Sequence, residues 1–450
     1  MPIVVGHIAG SRFPPYALES RAYFVYGSVG VLRLATTFLV QQTNMPAPYF
    51  FLRPVLSADG AWAAFDWQGE DPTAVRSSEY VGAFRNAGAS QLAGLMPFIA
   101  TITLDQFREQ SLTDELDPSQ VYYVVPSASL EDPVVLERCK MRRHDGYHFA
   151  LELDRTNIVR HVPVAAFDYV RLDATVARQD FPATDFEFID DAGFGKIAAN
   201  VRSHELASWV ATRSFDYCDS HYLTTRNRSF GKEPDLTRLK LLKLLNIVKQ
   251  DGDTREIEAI FREEPKLSYN LLRLVNSVAV SARMKISSFS QAIAILGRRQ
   301  LQRWLQLLVY ANNLADSNTP NPLMQIAAAR ARQMELLALA IVPESEAHEV
   351  SSNAFMAGLF SLLDVLINLP MRDIVRELPM HDSVVGALLS PGSEGLLARL
   401  LAAVVTAENG DFNVAAQAFR QLGVDPALLA KTQVAAFYWA SRINVETDHE

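Results

Sequence analysis

Residues 263–311 read EEPKLSYNLLRLVNSVAVSARMKISSFSQAIAILGRRQLQRWLQLLVYA. Apolar residues recur in this stretch at three- and four-residue spacing, which is typical of the buried face of amphipathic helices. Ser268 and Ser290 stand where they can cap two of these helices, and Gly297 can close the second. The next helix carries a stripe formed by Leu301, Trp304, Leu305 and Leu308. The segment therefore predicts a purely helical fold.

The helical pattern continues towards the end of the chain. Apolar periodicity predicts further helices at Gln325–Ile341, Asn353–Leu369 and Gly395–Glu408. Strand-like runs are absent from the sequence after about residue 230. We therefore assign residues 231–430 to an all-helical domain and residues 431–450 to a C-terminal tail.

The preceding residues, 49–230, have a different pattern. Eight short apolar runs alternate with helical or loop segments: YFFLRPVL, AWAAFDW, MPFIATIT, QVYYVVP, YHFALEL, YVRLD, KIAANV and FDYCDSHYL. The first two flank the turn Ser57-Ala-Asp-Gly60, so they predict a hairpin. Strands that alternate with helices predict a parallel sheet, and their repetition over about 180 residues suits a TIM-like (β/α) barrel. Residues 1–48 form an N-terminal appendage of unknown role.

The composition limits the class of protein. The 450 residues are 49% hydrophobic and 21% charged, and the net charge is −9. An acidic chain of this kind argues against nucleic-acid binding by broad phosphate neutralisation. Two cysteines, Cys139 and Cys218, cannot form a disulfide framework. The sequence has neither a clear targeting signal nor a membrane span, so we expect a cytoplasmic protein.

The helical segment resembles the HDOD family. That family has a Pro-x-Leu-Ser opening, a Leu-Leu-x-x-x-Asn-Ser helix, a Ser-x-x-x-Ala-x-x-x-Leu-Gly turn and a Leu-x-x-Trp helix. The matching residues are Pro265, Leu267, Ser268, Asn276, Ser277, Ala292, Leu296, Gly297 and Trp304. The family is related to HD-type metal phosphohydrolases but lacks their His-Asp metal centre. Here Gly358-Leu-Phe-Ser361 replaces that motif, and we expect the nearby Asp364 to be a helix-surface or capping group.

The strand-rich part resembles EAL domains in fragments. Gly146–Leu151 is similar to their Gly-Tyr-x-x-Ala-Leu strand, Tyr169–Asp173 to their Val-Lys-Ile-Asp strand, and Phe215-Asp216 to the start of their last strand. The order of these fragments, followed by an HDOD-like segment, implies the EAL-HDOD architecture. The predicted fold class is α/β plus all-α, with a degenerate barrel followed by a helical domain.

EAL enzymes hydrolyse cyclic di-GMP with two cations that carboxylates hold at the carboxyl ends of the barrel strands. The resemblance carries these sites over to positions where most of the ligands are missing: Asp66, Thr101, Val124 (or Val125), Glu152, Arg171, Asp173 and Ala199. Leu153 replaces the second of two paired aspartates, and Arg171 replaces a catalytic lysine. We therefore predict no catalytic residue, no metal site and no cofactor.

Three functional hypotheses follow from the resemblance. The first is a non-catalytic signalling adaptor that binds other signalling proteins in cyclic di-GMP or two-component regulation of motility or biofilm formation. The second is a receptor whose inactive barrel binds cyclic di-GMP without hydrolysing it. The third is an active phosphodiesterase, which the loss of metal ligands disfavours.

Overall fold

The structure is a computed structural model that describes residues 47–71, 76–109, 116–227, 306, 321–377 and 380–443. The predicted appendage up to residue 46 lies outside the described residues. So do the HDOD signature residues Pro265, Leu267, Ser268, Asn276, Ser277, Gly297 and Trp304. The described residues from Pro48 onward belong to one compact unit.

Eight strands form a closed barrel in which each strand lies beside its neighbours in sequence. They are β1 Phe50–Ser57, β2 Trp62–Gly69, β3 Phe98–Thr101, β4 Val121–Val125, β5 His148–Leu153, β6 Tyr169–Asp173, β7 Gly195–Ala199 and β8 Tyr217–Asp219. Each strand overlaps one of the eight predicted runs. The prediction of a barrel is confirmed.

The first strand runs opposite to the others. β1 pairs antiparallel with β2 and with β8, whereas every pair from β2 to β8 is parallel. The predicted hairpin turn is present: the amide of Ser57 donates to the carbonyl of Ala61, and Gly60 takes a φ of +81°. Because β1 is reversed, its first residues lie beside the carboxyl ends of β2–β8. We call this end of the barrel the mouth.

Small and branched apolar side chains fill the middle of the barrel. They come from six different strands: Val55, Ala64, Ile99, Val124, Ala150 and Ile197. Side chains alternate between the two faces of a strand, so residues two positions further towards the mouth also point inward. This alternation places Asp66, Thr101, Glu152 and Ala199 above the apolar layer.

Helices surround the barrel and then form the second part of the fold. Those within the barrel part are α1 Ser77–Asn86, α2 Ala89–Ala93, α3 Leu104–Arg108, α4 Pro133–His144, α5 Ala174–Asp180, α6 Ala183–Asp191 and α7 His204–Ala211. Short 3-10 helices lie at Ser127–Glu131, Thr156–His161 and His221–Thr224. The described helices after residue 320 are α8 Pro322–Ile341, α9 Glu344–Phe360, α10 Leu363–Ile367, α11 Met371–Glu377, α12 Asp382–Leu389, α13 Leu396–Glu408, α14 Phe412–Gln421 and α15 Pro426–Ser441.

The predicted bounds of one helix in this part are wrong. The helix predicted at 353–369 begins instead at Glu344, directly after Pro343, because proline suits the start of a helix. It ends at Phe360, and a separate short helix then stops at Asn368, which takes a left-handed φ of +58°. Helix α15 spans residue 431, where the sequence placed the start of a C-terminal tail, and buries one of its faces.

The helical part packs directly on the hairpin of the barrel. The ring of Phe51 in β1 stacks on that of Phe412 in α14, with centroids 5.0 Å apart and an interplanar angle of 11°. The Tyr49 hydroxyl donates to the carbonyl of Val424 at 2.6 Å. Arg420 forms an ion pair with Glu70 and lies over the ring of Tyr49. The barrel and the helical part therefore share one hydrophobic core.

A glutamine from α15 completes the open edge of β1. β8 pairs with β1 only along Val55–Ser57, so the first half of β1 has no strand on that side. The buried Gln433 fills the gap: its side chain accepts from the amide of Leu52 and donates to the carbonyl of Phe50, both at 2.9 Å. A single side chain thus reproduces the hydrogen bonds of a missing strand.

Replacing Gln433 should therefore weaken the union of the two parts. Gln433→Leu keeps the volume but leaves a buried amide and a buried carbonyl without partners, which should lower the free energy of unfolding by about 2 kcal/mol. Gln417→Leu, at an exposed position of α14, is the matched control and should change it by less than about 0.5 kcal/mol. Urea denaturation of both variants tests this. Equal midpoints would contradict the role of Gln433.

Candidate functional site at the barrel mouth

An arginine from β1 neutralises the carboxylate of β2. Nη2 of Arg53 lies 2.5 Å from Oδ2 of Asp66, and its Nη1 lies 3.9 Å from Oδ2 of Asp219. Gln68 donates to the same Asp66 oxygen at 3.0 Å. Burial alone would lower the pKa of Arg53, but the charges of Asp66 and Asp219 outweigh it and raise that pKa. The guanidinium therefore stays charged and serves as a fixed cation.

A second arginine has the same relation to β5. Nη1 of Arg171 lies 3.7 Å from Oε2 of Glu152 and donates to Oγ1 of Thr101 at 2.5 Å. The negative charges of Glu152 and Asp66 outweigh the effect of burial and raise the pKa of Arg171. Because its guanidinium remains protonated, Arg171 cannot act as a base near neutral pH. Arg171, which stands where EAL enzymes have a catalytic lysine, is thus a second fixed cation.

The remaining retained aspartate has a structural task. Oδ1 of Asp173 accepts from the amides of Thr175 and Val176 and so caps the N-terminus of α5. Its Oδ2 accepts from Nδ2 of Asn200 at 2.6 Å. Asn200 takes a left-handed φ of +55°, directly after β7. Both oxygens of Asp173 are therefore already engaged by the protein.

The other predicted positions bring no carboxylate to the mouth. Val124 lies lower, in the apolar layer, and Ala199 lines a small space near 20 Å³ together with Asp66, Arg171 and Asp219. Thr101 offers a hydroxyl that already accepts from Arg171. No group of three or more His, Cys, Asp or Glu side chains in the described parts of the chain could hold a metal ion. The residues at the mouth do not fit the paired cations of EAL enzymes.

Burial raises the pKa of Glu152, and the charge of Arg171 offsets this effect only in part. A carboxyl group with a raised folded-state pKa binds its proton more tightly in the folded protein than in the unfolded one. Its contribution to stability is therefore largest at low pH and falls as the pH rises from 4.5, the ordinary value, through the folded-state pKa.

Glu152→Gln should remove this pH dependence. We expect the melting temperature of the wild-type protein, relative to that of Glu152→Gln, to decrease as the pH is raised above 4.5. Parallel thermal melts of the two proteins across this range measure the difference. A difference that does not change with pH would show that Glu152 titrates as it does in the unfolded chain.

A cavity of about 280 Å³ opens at the mouth, and both parts of the fold line it. Its polar lining comes from the barrel: Arg53, Gln68, Thr101, Glu152, Arg171, Asn200 and Arg202. Its remaining wall includes Phe412 and Gly410 from the helical part. Gly410 takes a φ of +86°, and a Cβ there would lie 3.2 Å from Nη1 of Arg53. The turn before α14 therefore approaches the arginine closely.

The sequence did not reveal several of these groups. Arg53 left one signal, since it is the only charged residue in the apolar run YFFLRPVL and stands two positions from the inward-facing Val55. No sequence pattern marks Asn200, Arg202 or Phe412 as residues of the site. Phe412 in particular reaches the mouth from more than 350 positions further along the chain than Arg53.

A third arginine is buried in the helical part. Arg330 of α8 pairs with Glu408 of α13 and donates to Oγ of Ser361 at 2.5 Å. Ser361 in turn donates to the carbonyl of Gly358 at 2.7 Å. The side chain of Arg330 is only 3% exposed. Asp364 lies in the first turn of α10, as expected, and also pairs with Arg226 at 3.0 Å.

Comparison with known proteins identifies the helical part. Residues 236–373 match the family model of the HDOD domain. The cyclic di-GMP phosphodiesterase CdgJ of Vibrio cholerae is 27% identical over 260 residues, which cover 56% of this chain and 58% of CdgJ. The chain contains an HDOD domain. It spans little more than half the length of CdgJ.

Two further similarities were found for this chain. The uncharacterized protein YuxH of Bacillus subtilis is 21% identical over 361 residues, which cover 77% of this chain and 85% of YuxH. The EAL domain of FimX from Pseudomonas aeruginosa, solved with cyclic di-GMP bound, shares 14% identity. That match covers 43% of this chain and 95% of the domain, with a TM-score of 0.29. Among the helices in the described ranges, none has the length and hydropathy needed to cross a bilayer.

Proposed function

We propose that this EAL-HDOD protein is a non-catalytic adaptor in cyclic di-GMP or two-component signalling, which acts by binding other signalling proteins. One observation carries the proposal: each carboxylate that the resemblance places at the mouth already has a protein partner. Asp66 pairs with Arg53, Glu152 with Arg171, and Asp173 with a helix N-terminus and Asn200. By family resemblance, motility and biofilm formation are the processes that such an adaptor would regulate.

Metal-assisted hydrolysis of a phosphodiester needs two cations close together. Carboxylate oxygens must be free to hold them. At this mouth a divalent ion would have to displace an arginine from Asp66 and from Glu152. That displacement would leave a buried guanidinium unpaired, which costs several kcal/mol. The arginines thus occupy the electrostatic role of the missing ions without supplying a nucleophile.

A second candidate function is supported by the cavity. CdgJ is named a cyclic di-GMP phosphodiesterase and the EAL domain of FimX was solved with that nucleotide, so a receptor role is the natural alternative. The arginines that line the cavity favour it, because guanidinium groups pair well with phosphate oxygens. Such a receptor would bind cyclic di-GMP at the mouth and leave it intact.

A hydrolysis assay tests the proposal. The intact protein is incubated with cyclic di-GMP and either Mg²⁺ or Mn²⁺, and linear product is measured by chromatography. We expect no product above the protein-free blank. Product that disappears in Asp173→Ala, with the variant still folded by circular dichroism, would establish an active phosphodiesterase instead.

A calorimetric titration then separates the two non-catalytic roles. Micromolar binding of cyclic di-GMP without turnover would favour the receptor. No heat of binding from folded protein would favour the adaptor. Affinity capture from the native host, with the intact chain as bait, would then identify the protein partners that the adaptor role requires.

A further inference from the structure

A further cavity lies between the barrel and the helical part. It measures about 30 Å³, and both parts supply charged or polar residues to its lining: Arg53 and Asp219 from the barrel, and Arg330, Gln333 and Glu408 from α8 and α13. The two barrel residues form one ion pair, and Arg330 forms another with Glu408. Two largely buried ion pairs, one from each part of the fold, therefore border the same small space.

Gln333 brings to this cavity an amide that the protein itself does not satisfy. The residue is only 7% exposed, and its side chain forms no hydrogen bond with any residue that the structure describes. Oε1 of Gln325 in the same helix is closed in by surrounding atoms, whereas the amide atoms of Gln333 are not. A side-chain amide has two donors and an acceptor, and buried polar groups are rarely left unpaired. A polar occupant that pairs with Gln333 is therefore expected.

The carboxylate of Asp219, on the barrel side, is also incompletely paired. Its Oδ1 accepts from the amide of His221 at 2.9 Å. Its Oδ2 has only Nη1 of Arg53 as a charged neighbour, at 3.9 Å, which is too long for a hydrogen bond. Polar groups at such a separation are often bridged by a water molecule. Asp219 can therefore accept a hydrogen bond from an occupant of the cavity.

The size and the charge of the cavity select its occupant. A buried water needs about 10–15 Å³ and typically makes about three hydrogen bonds to polar groups. A cavity of about 30 Å³ thus has room for one or two water molecules. Its four charged residues are two arginines and two acids, so their charges cancel and favour a neutral occupant over an ion.

We propose that this cavity is a site for one or two ordered water molecules, which bridge the amide of Gln333 in α8 and the carboxylate of Asp219 in β8. The site goes beyond the adaptor role and does not rest on it. At this point water joins the barrel to the helical part. Displacing that water with apolar atoms leaves Gln333 and Asp219 unsatisfied.

The first test counts the water molecules directly. Oxygen-17 relaxation dispersion of the intact protein in solution measures the number of long-lived internal waters. Ala329, which is 2% exposed and lines the cavity, is replaced by valine to fill it. We expect Ala329→Val to hold one or two fewer long-lived waters than the wild-type protein. Ala340→Val, at an exposed position of the same helix, is the matched control and should hold the wild-type number. Equal numbers in the wild-type protein and folded Ala329→Val would overturn the proposal.

The second test uses the sign of a stability change. In a hydrated cavity, Gln333→Leu removes a partner of the bound water and should raise the equilibrium constant for unfolding by roughly fivefold. In a dry cavity the same change would remove an unpaired buried amide and would lower that constant. Urea denaturation measures it, and Gln417→Leu, at its exposed position, should stay within about twofold of the wild type. A constant for Gln333→Leu that is unchanged or lower would refute the water site.

Discussion

Arg330→Met should lower the free energy of unfolding by about 3–5 kcal/mol, because it leaves the carboxylate of Glu408 partly buried without its cation. The loss also removes the donor to Ser361, which holds the end of α9 next to α8. Methionine has a similar length and is apolar, so the change removes charge rather than volume. Urea denaturation of the intact chain measures the effect.

A double-mutant cycle shows where this cost arises. Arg330→Met combined with Glu408→Leu should recover most of the lost stability, since no unpaired charge then remains. Arg376→Met is the control, because that arginine is 76% exposed and, among the residues that the structure describes, pairs with Asp373 of its own helix. If Arg330→Met and Arg376→Met had similar denaturation midpoints, Arg330 would not be the organising cation that its contacts indicate.

Gly358→Val should lower the free energy of unfolding by about 3 kcal/mol or more, because there is no room for a side chain between α8 and α9. A Cβ at this position would lie 2.7 Å from Cα of Ala331 and 3.0 Å from its amide nitrogen. The obstacles are backbone atoms, so they cannot rotate away. The helices would have to separate, and Arg330, one residue before Ala331, would move with them. Thermal melting followed by circular dichroism measures the loss.

Gly386→Ala provides the matched comparison. This glycine also lies in a helix of the same part, α12, but a Cβ there would have no atom within 4 Å. Alanine should stabilise the protein by about 0.5–1 kcal/mol through its higher helix propensity. If Gly358→Val, like Gly386→Ala, did not lower the free energy of unfolding, the close approach of α8 and α9 would not be needed.

The sequence predicted the barrel well because its strands are short apolar runs bounded by polar segments, and this pattern is local. The hairpin was equally visible, since Ser57-Ala-Asp-Gly60 combines turn residues with a glycine at a positive φ. The helix boundaries were less accessible. Nothing local in Phe360-Ser-Leu indicates that α9 must stop there, because the stop involves the contact between Ser361 and Arg330 of another helix.

The site was predictable only as a set of losses. Resemblance placed Asp66, Glu152, Arg171 and Asp173 at the mouth, and the structure brings these four residues together there. The resemblance could not show that arginines pair with two of these acids. One of those arginines, Arg53, has no counterpart in the family motifs. The wall supplied by Phe412 depends on how the two parts pack together, and no local pattern encodes that arrangement.

The hydrogen bonds of Gln433 to the open edge of β1 have a consequence for synthesis of the chain. The groups that Gln433 satisfies, on Phe50 and Leu52, leave the ribosome about 380 residues earlier. Until α15 emerges, this stretch of the first strand keeps an unsatisfied edge of the kind that pairs with other chains. The nascent protein therefore exposes these backbone groups during most of its translation. A truncated product that lacks the final helix would expose them permanently and would remain prone to pair with other chains.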